Sequence, residues 1–403
     1  MGRIRVRCIT EGLVPIVNAD VRILESGQTE RVLEHLNTNA SGLTEPVALP
    51  APNIDYSLEP STVQPYSVYD IMVSAPGYET VVFEKVEILP NTLSEQTAVL
   101  NPLLEGEREA EVFFIPDHTL YGDYPPKQEE AEIKPIRESG EIVLSQVVIP
   151  EYVIVHDGAP DASAKNYYVL FRDYIKNVAS SEIYATWPEA TIYANVLAIL
   201  SFTLNRVYTE WYPGKGYNFT ITSSTAYDHK WINGRNIFQN ISMIVDSVFV
   251  NYLSRPNVEQ PILTQYCDGV KVQCPKWMTQ WGSKTLGDQG YSAIEILRHF
   301  YGDTIYINTA NVVTGVPSSW KNTNLTIGSK GESVRTIQSQ LNRIGVIYTA
   351  IPKLVVDGAF GPKTQAAVRA FQSIFSLPQT GIVDRATWYK ISRIYVGVTR
   401  IAQ

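Results

Sequence analysis

Gly331-Glu332-Ser333-Val334-Arg335-Thr336-Ile337-Gln338, then Asp357-Gly358-Ala359-Phe360-Gly361-Pro362, then Phe371-Gln372 and Thr387-Trp388 fix the reading of the C-terminal end. Val334, Ile337 and Leu341 recur at helical spacing, as do Ala367, Val368 and Phe371. Asp357 to Gly361 is a tight turn, and Leu377-Pro378-Gln379-Thr380-Gly381 is a second break. The spacing predicts three helices, over about Glu332–Ile344, Pro362–Phe375 and Asp384–Ser392, closing one small core.

Working outward, residues 321–403 carry 11 basic and 3 acidic groups, or +8, within a chain of net charge −8. Residues 1–103 and 104–150 each carry −7. A basic module on an acidic protein is built to meet an anionic surface, either nucleic acid or a carboxylate-rich polymer. The 403 residues leave room for several domains, and 44% hydrophobic residues exclude wholesale disorder. No membrane span is expected, because Asn195 and Ser201 break the greasiest stretch. No signal peptide is recognisable at the start, and Cys8, Cys267 and Cys274 are too few for a disulfide framework.

The fold class expected is multidomain: an N-terminal all-β sandwich, a central mainly α (α+β) catalytic domain and a C-terminal three-helix domain. Residues 1–103 alternate with period two at Ile4, Val6 and Cys8, at Val21 and Ile23, and at Ile71 and Val73. Their order resembles transthyretin-type, carboxypeptidase-regulatory-like sandwiches, which implies a pro-region without catalytic groups. Residues 104–150 read as an acidic linker containing Pro125, Pro126 and Pro135 and a processing site. Residues 151–320 change period to 3.6, beginning with the stripe Phe171, Tyr174, Ile175 and Val178. Thr186-Trp187-Pro188-Glu189 reads as the capped start of a buried helix.

On Gly328, Gly331, Ile337-Gln338, Asp357-Gly358, Phe360-Gly361, Phe371-Gln372, Gly381 and Thr387-Trp388, residues 321–403 resemble the bacterial peptidoglycan-binding domain. The resemblance implies peptidoglycan, not nucleic acid, as partner, with Asp357, Phe360 and Lys363 near the contact turn. Residues 151–320 resemble the SpoIID/LytB family of glycan-strand cleaving enzymes. One block is Phe171-Arg172-Asp173-Tyr174-Ile175 with Ser181-Glu182-Ile183 and Thr186-Trp187-Pro188-Glu189-Ala190; the other is Trp277-Met278-Thr279-Gln280-Trp281-Gly282-Ser283. The three-part order resembles clostridial spore cortex-lytic enzymes of the SleC type. It implies lytic transglycosylation of cortex peptidoglycan, a zymogen cut by an activating protease at germination, and a place in the spore or cell wall.

Glu182 carries over as the catalytic acid, at the mouth of an apolar segment where desolvation favours a neutral carboxyl. Gln280, Trp187, Trp277, Trp281 and Tyr227 are the expected sugar contacts. Asp173 and Asp228 are weaker second carboxylates, and Glu189 is a first-turn helix charge. The sequence departs from the family on the buried helix, where Asn195 to Leu200 lacks an arginine, and ahead of Trp277. No cofactor is required, although His229, Cys267 and Cys274 are the one set that zinc would accept. Two buried or loop cysteines with a surface histidine, or a Cys267–Cys274 disulfide, are the other readings of that set. Two rival functions stand beside the lytic enzyme: a non-catalytic peptidoglycan-binding scaffold, and an amidase cutting the muramoyl–alanine bond.

Overall fold

The computed structural model describes residues 1–28, 30–103, 110–117, 119–134, 146–315, 320–321 and 323–400. The N-terminal strands are β1 (Gly2–Ile9), β2 (Asp20–Glu25), β3 (Val32–Asn37), β4 (Val47–Leu49), β5 (Ser67–Ser74), β6 (Val81–Ile88), β7 (Leu93–Val99) and β8 (Glu111–Phe114); a short helix, α1 (Asp55–Leu58), follows β4. One sheet runs β3-β2-β5-β6-β8, and β1 joins β7 and β4 in the other. The alternating residues read from the sequence point inward: Ile4, Val6, Cys8, Val21, Ile23, Ile71 and Val73 are all buried. Burial pushes the Cys8 thiol up to about 12. The sheet extends past residue 103 to take in β8, which lies parallel to β6.

In the central region β9 (Val148–Ile149), β10 (Tyr152–His156) and β11 (Asn166–Leu170) precede α2 (Phe171–Glu182) and α3 (Glu189–Tyr208). Then come β12 (Ile221–Thr222), β13 (Ile237–Phe238), α4 (Gln239–Val248), β14 (Asn251–Ser254), β15 (Tyr266–Cys267) and β16 (Met278–Thr279). The region closes with α5 (Gln280–Asp288), α6 (Ala293–Tyr301), β17 (Tyr306–Thr309) and β18 (Val312–Val313). α3 is long and apolar enough to cross a bilayer by composition, yet 83% of its apolar window is buried inside the protein. Its polar breaks are satisfied there: Asn195 Nδ2 donates to Ser283 Oγ at 2.8 Å, and Ser201 Oγ accepts from the Leu253 N–H at 2.6 Å. The Thr186 hydroxyl does not cap this helix; it donates to Ser57 Oγ instead.

The C-terminal helices are α7 (Glu332–Gly345), α8 (Pro362–Ile374) and α9 (Arg385–Arg400), the last running well past the expected end. Two buried glutamines tie the turns. Gln338 Oε1 accepts from the Gly358 N–H, and Gln372 Oε1 from the Gly381 N–H, both at 2.8 Å. Gly358 has φ +75°, and a Cβ there would sit 2.9 Å from Arg335 Cγ, so the turn requires glycine.

The three parts are joined. β13 extends the β4-β1-β7 sheet by pairing Ile237 with Glu95 and Phe238 with Ser94. Glu87 of β6 reaches the Arg235 guanidinium at 2.8 Å, a buried pair. Arg7 donates to the Ile374 carbonyl at the C-terminal end of α8, and Arg5 to Ser376 Oγ. The acidic sandwich therefore meets the basic module through arginines on a helix C-terminus, where the macrodipole favours cations, and not by acid on base. Arg393 of α9 pairs with Asp173 of α2, and Asp246 of α4 holds Arg172 and Lys176.

Candidate functional site

α2 ends at Glu182 and α5 begins at Gln280, so the two motif blocks meet side chain to side chain. Glu182 is 5% exposed; one carboxylate oxygen accepts from the Lys230 N–H at 2.7 Å, the other from Gln280 Nε2 at 3.0 Å. Gln280 Nε2 also donates to the Glu182 carbonyl at 2.7 Å, which locks both residues. An amide and a backbone N–H thus fix the direction in which the carboxyl presents its oxygens.

Behind Glu182 lies a buried ring stack. His229 stacks on Tyr266, their centroids 5.7 Å apart, and its Nδ1 shares a 3.1 Å hydrogen bond with the Tyr174 hydroxyl. Burial, with Lys127 and Arg206 near, drives the His229 pKa well below its usual value, so the ring is neutral. Tyr266 is pushed upward by burial and by the Glu182 charge. The zinc set is corrected here. Cys267 and Cys274 form a disulfide, and His229 is buried against Tyr174. Among the described residues no group of three or more His, Cys, Asp or Glu could hold a metal ion.

Asp173 stands nine residues before Glu182 on α2, about 13 Å along a helix axis. Burial pushes its carboxyl up, but Arg393 wins and holds it at about 2. Asp228 is fully buried and saturated: it accepts from Arg206 Nε, the Tyr212 hydroxyl, and both the N–H and the hydroxyl of Thr222, at 2.7–2.9 Å. Neither carboxylate is placed to activate a water beside Glu182.

The expected sugar contacts separate. Trp187 and Trp281 are buried against Tyr184, and their indole N–H groups donate to the carbonyls of Ser57 and Leu120 at 2.8 Å. Trp277 and Tyr227 are half-buried. In the C-terminal module Asp357 and Lys363 are exposed, whereas Phe360 is 2% exposed and belongs to the core; this corrects its reading as a contact. Asp357 Oδ1 accepts from Gln338 Nε2 and the Ala359 N–H, both at 2.9 Å, and so holds the turn.

What sequence reasoning missed is the strap. Residues 119–134 run across the central region without helix or strand, and Leu120, Tyr124, Pro125 and Lys127 lie over Glu182. Leu120 is buried and donates its N–H to the Tyr184 hydroxyl at 2.9 Å. Lys127 Nζ lies 4.5 Å from the centre of the Tyr266 ring and donates to the Asp228 carbonyl. Burial pushes the Lys127 ammonium down, opposed by the Glu182 and Asp228 charges. Leu120, Tyr124, Pro125 and Lys127 wall a cavity of about 40 Å³ against Glu182 and Gln280, while sites for drug-sized ligands span ~300–1,000 Å³. No periodicity marks an irregular strap, and its prolines and acids read as solvated linker.

With the geometry described, comparison with known proteins bears on the C-terminal end. Residues 330–391 match the peptidoglycan binding domain family. The chain is 43% identical over 76 residues to a zinc D-Ala-D-Ala carboxypeptidase of Streptomyces albus G, covering 19% of this chain and 28% of that protein. It is 40% identical over 63 residues to an uncharacterized protein from the bpoA1 3' region of Kitasatospora aureofaciens, covering 15% and 48%. The chain thus spans less than half the length of either relative. Among solved structures, the SleB N-terminal domain aligns at 31% identity over 19% of this chain and 99% of that one, with a TM-score of 0.17. The three-helix unit α7–α9 with its glutamine-tied turns is accordingly a peptidoglycan-binding domain.

Proposed function

We propose that this protein is a peptidoglycan-degrading enzyme of the spore cortex, which cleaves glycan strands by lytic transglycosylation. The observation that carries the reading is the clamped, buried Glu182 carboxyl. Among the described residues the other carboxylate lining its cavity, Asp268, accepts from the N–H groups of Val270, Lys271 and Val272 and is taken up in its own turn. Hydrolysis by water uses two carboxyl groups ~5–10 Å apart, and Asp173 and Asp228 are both committed elsewhere. One carboxyl suffices for transglycosylation. As the acid, Glu182 gives its proton to the glycosidic oxygen as the bond to C1 breaks; as the carboxylate, it takes the proton of the muramoyl C6 hydroxyl while that oxygen bonds to C1. The product is a 1,6-anhydro end, and no water is consumed. Gln280 and the Lys230 N–H hold the carboxyl in line for both transfers. The peptidoglycan-binding domain, anchored by Arg393 on α2 itself, keeps the polymer near the site.

The strap supports storage as a zymogen that acts in germination. A glycan needs the space that Leu120 to Lys127 occupy, and a protease cut within the stretch from Asp117 to Pro150 would release it. The test compares the uncut chain, the chain cut at a protease site inserted between residues 135 and 145, and the cut Glu182→Gln variant, by the turbidity of cortex fragments. Clearing by the cut wild type alone is expected; equal clearing by the cut variant would transfer the acid role elsewhere.

A further inference from the structure

The strap does more than fill space: it is recognised as a peptide. Gln265 reads its main chain twice, donating from Nε2 to the Gln128 carbonyl at 2.6 Å and accepting the Glu130 N–H on Oε1 at 3.0 Å. Gln260 does the same at Lys134, accepting its N–H at 2.7 Å and donating to its carbonyl at 3.2 Å. The Gln128 N–H donates to the Ala226 carbonyl, and the Glu132 carbonyl accepts from Leu263. Two arginines read the side chains. Arg206 grips Glu130 through NH1 and NH2 at 2.9 and 2.6 Å, and Arg255 grips Glu132 through Nε and NH2, both at 2.7 Å. Bidentate arginine–carboxylate pairs are the geometry of selective carboxylate recognition.

Between Pro125 and Lys134 the strap is held besides by Lys127, on the Asp228 carbonyl and over the Tyr266 ring, and by Lys134, over the Trp211 ring. Pro125, Pro126, Gln128, Glu129 and Ala131 are exposed, and Ile133 is 39% exposed; only Lys134 is buried. The receptor side is the opposite: Arg206, Gln260 and Gln265 are buried to 0–4% exposure. Buried amides and a guanidinium beneath a polar, largely exposed occupant are the arrangement of a binding groove.

We infer that the groove beneath residues 127–134 is a second binding site, for the acidic stem peptide of peptidoglycan: Gln260 and Gln265 take its amides, and Arg206 and Arg255 its carboxylates. The strap's Glu130 and Glu132 stand in for those carboxylates. The inference rests on the peptidoglycan reading above, because it places the peptide of the same polymer whose glycan passes Glu182. It also explains why the occupant is acidic, since stem peptides carry free carboxylates.

The test measures binding of a soluble stem tetrapeptide to the full chain, followed by the fluorescence of Trp211, which packs against the Arg206 guanidinium. Wild type, closed by its strap, is expected to bind at least tenfold more weakly than the Glu132→Gln variant cut between residues 135 and 145. Adding Arg255→Gln to that variant should remove about tenfold in affinity, one bidentate pair. Arg255 and Glu132 are partly exposed, so these substitutions spare the core; a synthetic 120–134 peptide added in trans, competing with the tetrapeptide, supplies a second reading without substitutions. No tetrapeptide binding by the cut variant, with glycan cleavage intact, overturns the groove and leaves the lytic reading standing. Peptide binding that Arg255→Gln weakens, in a chain that cuts no glycan, upholds the groove and removes the catalytic assignment.

Discussion

Glu130→Gln is the perturbation that most sharply tests whether the strap is held by charge. Arg206 is fully buried, and its two pairs, to Glu130 and to Asp228, are what allow a guanidinium in the middle of the core. Breaking a buried pair so as to strand one charge costs ~3–5 kcal/mol. Here Asp228 still holds Arg206 Nε at 2.7 Å and the new amide oxygen accepts one of the lost bonds, so about half of that, ~2 kcal/mol, should be felt. The whole loss falls on the closed strap, because the open strap makes no pair with Arg206. Opening should then rise by about 30-fold. Amide hydrogen exchange reads this directly: the Gln128, Glu130 and Lys134 N–H groups, bonded to Ala226, Gln265 and Gln260, should exchange about 30-fold faster, while α8 stays unchanged. Unaltered exchange at those three amides would refute the idea that the Arg206 pair closes the strap.

Four further outcomes follow from the same contacts. Burial pushes the Glu130 carboxyl up, but Arg206 and Lys134 pull it net below its ordinary value; strap protection should be complete above about pH 5 and fall as pH drops below ~4, read by exchange against pH. Alkylation in denaturant without reductant should modify one cysteine, Cys8, and three after reduction; three at the outset would remove the Cys267–Cys274 bond. Gln338→Ala strands the Gly358 N–H and should cost the C-terminal domain ~1–3 kcal/mol in denaturant unfolding, while an unchanged midpoint would show that the turn stands without it. Cosedimentation of the chain with sacculi should weaken as salt rises, in keeping with the +8 charge of residues 321–403.

Most of the fold was legible where pattern and burial coincide. Period two at Ile4, Val6 and Cys8 gave β1, and the stripe from Phe171 to Val178 gave α2, because one face of each meets a core. The helix α5 escaped, since Gln280 to Asp288 carries Gly282, Ser283 and Gly287 and little periodicity, and packs by close approach to Thr191. At the site, Glu182 and Gln280 were found through motif blocks, and the structure joins them by two hydrogen bonds. Lys127, Arg206 and Tyr266 were not found. An arginine in an apolar helix is intelligible only once its partners, Glu130 and Asp228, are seen beside it, and those lie 76 and 22 residues away. The same holds for Phe360, whose motif position marks the turn while its ring fills the core behind it.

The central claim is that Glu182 acts alone, without water. Mass spectrometry of muropeptides released from purified cortex by the cut chain decides it, because a 1,6-anhydro end is lighter than a reducing end by one water. Anhydro ends are expected from the cut wild type and none from the cut Glu182→Gln variant. Reducing ends from the wild type, carrying solvent oxygen when the reaction is run in labelled water, would contradict it.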